Sequence, residues 1–284
     1  MIDGEESRIE TIESLDDPRL DPFRSLKTTN QTRDDDSFVV EGALLVERLL
    51  GSRFETSCVL THPDWFAEPP FSIPSSVPTL VLSRPLMTQL VGFSFHQGIL
   101  ACGRRSSWPS LAEIIEADHS EFRTIVICPS IDNPENLGSI ARTADALGVS
   151  AIVVGRESPD PLSRRVTRVS MGASLKLPIL EFDNVHTALD ELALHGFEFV
   201  ATLPGHGHTE LLKFRRPKRV GLLLGREREG LAEEFERRAQ HTVTISMIPG
   251  ADSLNVAVAS GVFLYWLRQS AVEAGANSPL PEIR

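Results

Sequence analysis

Val220-Gly221-Leu222-Leu223-Leu224 is apolar without a break, and Gly225-Arg226-Glu227-Arg228-Glu229-Gly230 follows it directly. A strand with one wet face alternates apolar and polar side chains. A strand that is apolar throughout is covered on both faces, as in a parallel sheet. Outward from this run the chain alternates. Strand-like runs lie at residues 124–127, 151–154, 176–180, 199–203 and 242–245, and helical patterns at 137–147, 185–195, 231–239 and 254–271. This rhythm predicts an α/β unit over residues 122–284, with a parallel sheet between two layers of helices. Such sheets bind ligands beyond the carboxyl ends of their strands, so the loops that follow the strands are the place to look for chemistry.

Three of these loops stand out. After residues 124–127 comes Asp132-Asn133-Pro134-Glu135-Asn136-Leu137-Gly138, then Ser139-Ile140-Ala141-Arg142. Asn136 is a candidate N-cap, and Leu137, Ile140, Ala141, Ala144 and Leu147 form an apolar stripe at helical spacing. Arg142 lies off that stripe, where it either pairs with Asp145 at i,i+3 or faces a ligand. After residues 220–224, Gly225 and Gly230 bracket Glu227. Glycines there either make a simple strand-to-helix turn or let the backbone approach a ligand closely. After residues 242–245, an irregular loop enters a long apolar helix that Ser253 could cap, with Asn255 in its first turn. Ala257, Ala259, Ser260 and Gly261 give that helix a face of small residues, suited to close contact with a helix of the same chain or of a second subunit.

Taken together and in order, these segments resemble the SpoU, or TrmH, family of RNA ribose methyltransferases within the SPOUT group. The family's Asn-x-Gly-x-x-x-Arg motif is matched by Asn136 to Arg142, and its Gly-x-Glu-x-x-Gly motif by Gly225, Glu227 and Gly230. The third motif is matched by Ile245-Ser246-Met247-Ile248-Pro249-Gly250-Ala251-Asp252-Ser253-Leu254-Asn255-Val256-Ala257-Val258-Ala259. Ser246 stands where relatives commonly carry proline. The resemblance implies a SPOUT domain whose C-terminal segment forms a trefoil knot, a homodimer, and S-adenosyl-L-methionine as cofactor, held by Leu203, Gly225, Gly230, Ile245 and Leu254. It further implies methyl transfer to a ribose 2′-hydroxyl, with Arg142, Asn136, Ser253, Asn255 and Glu227 as the catalytic set. A guanidinium is never deprotonated in proteins, so Arg142 is expected to bind phosphate and stabilise a developing alkoxide. Glu227 is expected either to hold the loops together or to act on the substrate.

The first half is weaker in signal. A helix is read over residues 38–50 from Val39, Ala43, Val46 and Leu50. Strands are read at 57–61, 79–82 and 98–102, and helices at 85–91 and 111–117. Phe38-Val39-Val40-Glu41-Gly42 and His96-Gln97-Gly98 are similar to marks of the family's small α/β substrate-binding domain. The expected organisation is therefore an acidic, mobile leader (1–36), that domain (37–104), a linker (105–121) and the methyltransferase domain (122–284). A separate N-terminal domain favours ribosomal RNA over transfer RNA as substrate.

The net charge of −11 over 284 residues argues against a nucleic-acid partner only if it is spread evenly. It is not: residues 1–36 carry 11 acidic and 5 basic side chains, whereas residues 123–284 carry 19 and 18. The segment before Phe38 lacks a Lys/Arg-rich run, so RNA contact is assigned to Arg164, Arg165, Arg168, Lys213, Arg215 and Arg216, because phosphate affinity comes mainly from such side chains. A non-catalytic RNA-binding module is the competing reading, but it predicts loss of the motif arginine or asparagine, and both are present. A dinucleotide-dependent dehydrogenase needs Gly-x-Gly-x-x-Gly at the first turn, and residues 128–138 offer only Gly138. Three scattered cysteines form no metal or disulfide pattern. No run reaches the roughly 18 apolar residues of a membrane span, and residues 1–30 have no secretory pattern, which leaves the cytoplasm as the default compartment.

Overall fold

The structure, a computed structural model, describes residues 9–24, 26, 33, 35–93, 95–96 and 98–275. Gln97 of the His96-Gln97-Gly98 segment, and residues 1–8, 25, 27–32 and 34 of the acidic leader, lie outside them. The elements of the first hundred residues are β1 (Ile9–Thr11), β2 (Ser37–Glu41), α1 (Ala43–Leu50), β3 (Thr56–Thr61), β4 (Thr79–Val81), α2 (Arg84–Val91) and β5 (Ile99–Arg104). Next come α3 (Leu111–Ala117), β6 (Arg123–Cys128), α4 (Pro134–Ala146), β7 (Ala151–Gly155), α5 (Arg164–Val169), β8 (Ile179–Phe182) and α6 (Val185–Leu194). The last are β9 (Glu198–Thr202), β10 (Thr209–Glu210), β11 (Arg219–Leu223), α7 (Glu233–Glu236), β12 (His241–Thr244) and α8 (Val256–Glu273). No described helix is long and apolar enough to cross a membrane.

These elements form two compact units. One holds the described residues up to Ser107 together with Asp160–Lys176, and the other holds Trp108–Pro159 together with residues from Leu177 onward. This division differs from a linker at 105–121 followed by one continuous unit from 122. Helix α3 belongs to the second unit, where Leu111 and Ile115 are buried with Ala188 and Leu189. Ser110 and Glu113 close a capping box at its start. The 160–176 excursion joins the first unit, where Asp160 pairs with Arg105 at 2.5 Å, both side chains being largely buried. A pair separated by 55 residues leaves no trace in local periodicity.

The first unit has a five-stranded sheet in the order β1-β4-β3-β5-β2. Strands β1, β4 and β3 run parallel, and β5 runs antiparallel to β3 and β2. Two expectations are corrected here. Residues 38–41 are strand, not helix: Phe38, Val39 and Val40 are all buried, and Gly42 breaks the chain at φ 97° before α1 begins. The described part of residues 1–36 is not a free leader, because β1 pairs with β4 and Ile12, Leu20, Phe23 and Leu26 are buried in the core. Four apolar residues without a repeat are invisible to periodicity, yet each fully buried one contributes about 1.5–3 kcal/mol.

The second unit has seven parallel strands in the order β10-β12-β9-β11-β6-β7-β8. Strand β11 lies in the middle, between β9 and β6, and Val220, Leu222, Leu223 and Leu224 have no exposed surface. Its one glycine is a packing requirement. A Cβ at Gly221 would stand 2.7 Å from the Phe199 ring and 3.0 Å from Ile127. The expected helix over 231–239 is reduced to the single turn of α7. Helix α4 packs on α8, and Gly261 faces Thr143 of α4, so the small-residue face of α8 is used within the chain.

Candidate active site

The loops after β9, β11 and β12 converge at the carboxyl end of the sheet around a cavity of about 410 Å³. Leu203, Gly225, Gly230, Ile245 and Leu254, the five positions expected to hold a cofactor, all line it. So do Glu227 and Ser253 of the expected catalytic set, with Pro204, Leu231, Met247 and Phe263 adding apolar wall. The volume falls in the ordinary range for a small-molecule site, and so does the mixture of apolar side chains with a few polar groups.

Behind the wall, three loops are tied by one run of side-chain hydrogen bonds. Asn255 Nδ2 donates to Asn136 Oδ1 at 3.1 Å, and Asn136 Nδ2 donates to Glu227 Oε1. Each loop that the sequence marks contributes one member. Asn136 is only 7% exposed, so its amide has no water to fall back on and both ends need protein partners. The Oε2 of Glu227 is buried without a partner among the described residues. Below it, burial and the nearby Glu227 carboxylate push the thiol of Cys128 up to about 12, which makes Cys128 an inert core residue rather than a nucleophile.

The capping residues differ from expectation, and this explains how the asparagines are freed. The N-cap of α4 is Asn133, whose side chain accepts from Glu135 N at 2.8 Å. Pro134 at the first helical position was the available signal, since proline favours that place. Asn136 therefore sits in the first turn with its amide turned to the loops. Asn255, not Ser253, caps α8, accepting from Ala257 N and Val258 N at 2.9 and 3.3 Å. Its Oδ1 serves the helix while its Nδ2 serves Asn136. Ser253 is left on the cavity wall.

The segment 225–230 is a tight hairpin. Arg226 and Gly230 exchange both backbone hydrogen bonds, at 2.9 and 3.1 Å. A Cβ on Gly225 would stand 2.2 Å from Gly230 C and Leu231 N, so only glycine permits this closure. Gly230 itself adopts φ +74° with nothing near its missing Cβ.

Arg142 is exposed on α4 and does not line the cavity. It makes no hydrogen bond or ion pair among the described residues, so it does not pair with Asp145. Six residues beyond Asn136, it lies about 9 Å further along the helix axis.

The basic residues assigned to RNA fall into two groups. Arg165, Arg168 and Arg215 are exposed, and exposed Lys213 pairs with Glu210 at 3.0 Å. Arg164 and Arg216 are committed to the fold. Arg164 is largely buried, donates to Glu41 at 2.7 Å and to the Leu26 carbonyl at 2.5 Å, and lies over the Phe93 ring. Arg216 donates to the carbonyls of Leu267 and Arg123 at 2.9 and 3.0 Å and covers the Phe122 ring. Burial pulls its pKa down to about 10. Arg164→Met is expected to destabilise the protein by about 3–5 kcal/mol, because Glu41 stays buried without its partner. Urea unfolding followed by tryptophan fluorescence checks this, and a loss below 1 kcal/mol would show the pair to be incidental.

A family model, the SpoU rRNA Methylase family, matches residues 123–265. The chain is 35% identical over 272 residues to an uncharacterised tRNA/rRNA methyltransferase of Mycobacterium bovis, covering 93% of each chain. It is 30% identical over 198 residues to the 23S rRNA (guanosine-2′-O-)-methyltransferase RlmB of Yersinia pestis, covering 68% of this chain and 79% of that one. Among solved structures, an AdoMet-bound rRNA methyltransferase from Sinorhizobium meliloti superposes with a TM-score of 0.77 at 26% identity, covering 92% of this chain and 98% of that one. With the three motif loops gathered at one end of its parallel sheet, the chain belongs to the SpoU rRNA methylase family.

Proposed function

We propose that this protein transfers a methyl group from S-adenosylmethionine to a ribose 2′-hydroxyl of structured RNA, ribosomal rather than transfer RNA, and works as a homodimer. The observation that carries the reading is the Asn255–Asn136–Glu227 run beside a glycine-closed cavity. A cavity closed on one side by the hairpin that only glycine at 225 permits, with apolar side chains and a few polar groups on its wall, fits a cofactor with a flat aromatic base and a sulfonium. Leu203, Gly225, Gly230, Ile245 and Leu254 would hold it, and when bound it supplies an electrophilic methyl group. The knot implied by the family resemblance belongs to the same reading, since its loops are those of the cavity.

The chain's own residues supply position and charge. Asn136 and Asn255 fix the loops, and Glu227 acts in that frame as an acceptor. Ser253, on the cavity wall, is assigned to orient the hydroxyl. Arg142, exposed and unengaged, is free to take a phosphate next to the target ribose and to stabilise the alkoxide as the proton leaves for a phosphate oxygen. Arg165, Arg168, Lys213 and Arg215 remain the candidate RNA contacts. The dimer is supported by α8, where Val258, Val262 and Tyr265 are 56%, 40% and 58% exposed at i, i+4 and i+7, a helical stripe left uncovered among the described residues.

The test is transfer of tritiated methyl from S-adenosylmethionine to total RNA, followed by alkaline hydrolysis. Label retained in alkali-resistant dinucleotides of ribosomal RNA is expected, because methylation of the 2′-oxygen blocks cleavage. Label recovered in mononucleotides would overturn the ribose assignment, and label confined to transfer RNA would overturn the choice of substrate.

A further inference from the structure

The hairpin at 225–230 carries the cavity's glycines and Glu227, and it lies between the end of β11 and α7. Its backbone bonds are to itself, through the Arg226–Gly230 bridge, so its placement against the sheet depends on side chains. Glu227 is one tether, to Asn136 of α4. Its neighbour Arg226 reaches elsewhere. Arg226 Nε donates to Ser130 Oγ at 2.7 Å and lies 3.5 Å from Asp132 Oδ1, while Nη2 donates to Glu157 Oε2 at 3.1 Å. Ser130 and Asp132 belong to the loop after β6, and Glu157 to the loop after β7. One planar guanidinium thus spans two strand-end loops and fixes a third, which suits arginine's rigid fork and not a point charge.

Glu227 faces the 410 Å³ cavity, whereas Arg226 also lines a second cavity of about 470 Å³ with Ser130 and Glu157. The guanidinium therefore forms part of the wall between the two. Its side chain is 35% exposed. The ion pairs to exposed Glu157 and Asp132 are individually weak, and the bond to half-buried Ser130 is the stronger contact.

We infer that Arg226 is a positioning residue for cofactor binding: by gripping Ser130, Asp132 and Glu157 it holds the 225–230 hairpin at the distance from the sheet that the cofactor cavity requires. Its side chain lines the cavity, and the role assigned to it is exerted through those loops and not on the reacting atoms. The inference rests on the methyltransferase reading above and assigns a role to a residue outside the family motif's fixed positions.

The experiment compares full-length wild type, Arg226→Ala, Arg226→Lys and Ser130→Ala by calorimetric titration with S-adenosylmethionine and by steady-state transfer to RNA. Arg226→Ala is expected to raise the cofactor Kd and KM about tenfold, the worth of a lost charged hydrogen bond. Its kcat at saturating cofactor and its KM for RNA should stay at wild-type values. Arg226→Lys should recover part of the affinity, and Ser130→Ala should weaken it about threefold through the loss of one acceptor. Ser130→Ala keeps the test open should Arg226→Ala fail to fold. An unchanged cofactor Kd in both alanine variants, or a change confined to the KM for RNA, overturns the role. A wild type that binds no S-adenosylmethionine overturns the reading beneath it instead, and this inference with it.

Discussion

Arg142→Ala is expected to bind S-adenosylmethionine with wild-type affinity and to transfer methyl groups about 10²–10³-fold more slowly, the cost of removing one donor from a developing oxyanion. The separation of the two effects follows from where the residue sits. Arg142 is absent from the wall of the 410 Å³ cavity, so its loss leaves the five positions proposed to hold the cofactor untouched. It is exposed and makes no hydrogen bond or ion pair among the described residues, so its loss breaks nothing that holds α4 in place. Helix α4 is anchored instead by its buried stripe of Leu137, Ile140, Ala141 and Ala144. Arg142→Lys should recover only a small part of the rate, because an ammonium cannot grip phosphate and alkoxide with two parallel donors. Calorimetry for the cofactor and single-turnover transfer with saturating RNA separate the quantities. Wild-type turnover in Arg142→Ala would remove Arg142 from the mechanism, and a parallel fall in cofactor affinity would assign it a binding role in place of a catalytic one.

Much of the site is legible in the sequence, and for a physical reason. A parallel sheet puts its working loops at strand ends, and the strands announce themselves as apolar runs. Residues 220–224 mark a strand covered on both faces, and β11 lies in the middle of the sheet with Val220, Leu222, Leu223 and Leu224 fully buried. Of the cavity-lining positions, Gly225 follows its apolar run directly, Ile245 closes the run at 242–245, and Gly230 and Leu254 lie in the loops beyond. What the sequence hides is longer in range. Asn133-Pro134 carries the cap signal for α4, yet the competition between Asn133 and Asn136 is settled by which amide the loops at 227 and 255 require. Arg164 and Arg216 read as a phosphate-binding surface from composition, and only their partners Glu41 and the Leu267 carbonyl, 123 and 51 residues away, show them engaged. Charge density is local in sequence but its neutralisation is not. The same holds for residues 9–26, whose few apolar side chains complete a core built by strands from elsewhere.

Gly225→Ala is expected to weaken S-adenosylmethionine binding at least about 100-fold while the protein stays folded, since a displacement of about 1 Å in a binding constellation is worth that much. The added Cβ would lie 2.2 Å from Gly230 C and Leu231 N and 2.5 Å from Gly230 O. All three are backbone atoms, so no side chain can swing aside and the two arms of the hairpin must part. Parting them breaks the Arg226–Gly230 bridge and moves Glu227 away from Asn136, which loosens the cavity wall and the Asn255–Asn136–Glu227 run together. The core of the unit is spared, because its buried cluster runs from Ile125 and Ile127 to Leu189 and Phe199. Gly230→Ala is the matched control. Its Cβ meets nothing within 4 Å, and only the φ of +74° is unfavourable, a strain of about 1–2 kcal/mol for a residue with a side chain. It should weaken binding by no more than about tenfold. Circular dichroism confirms that both variants fold, and calorimetric titration with the cofactor ranks them. Equal affinities for the two would mean that the closed hairpin is not what shapes the cofactor cavity.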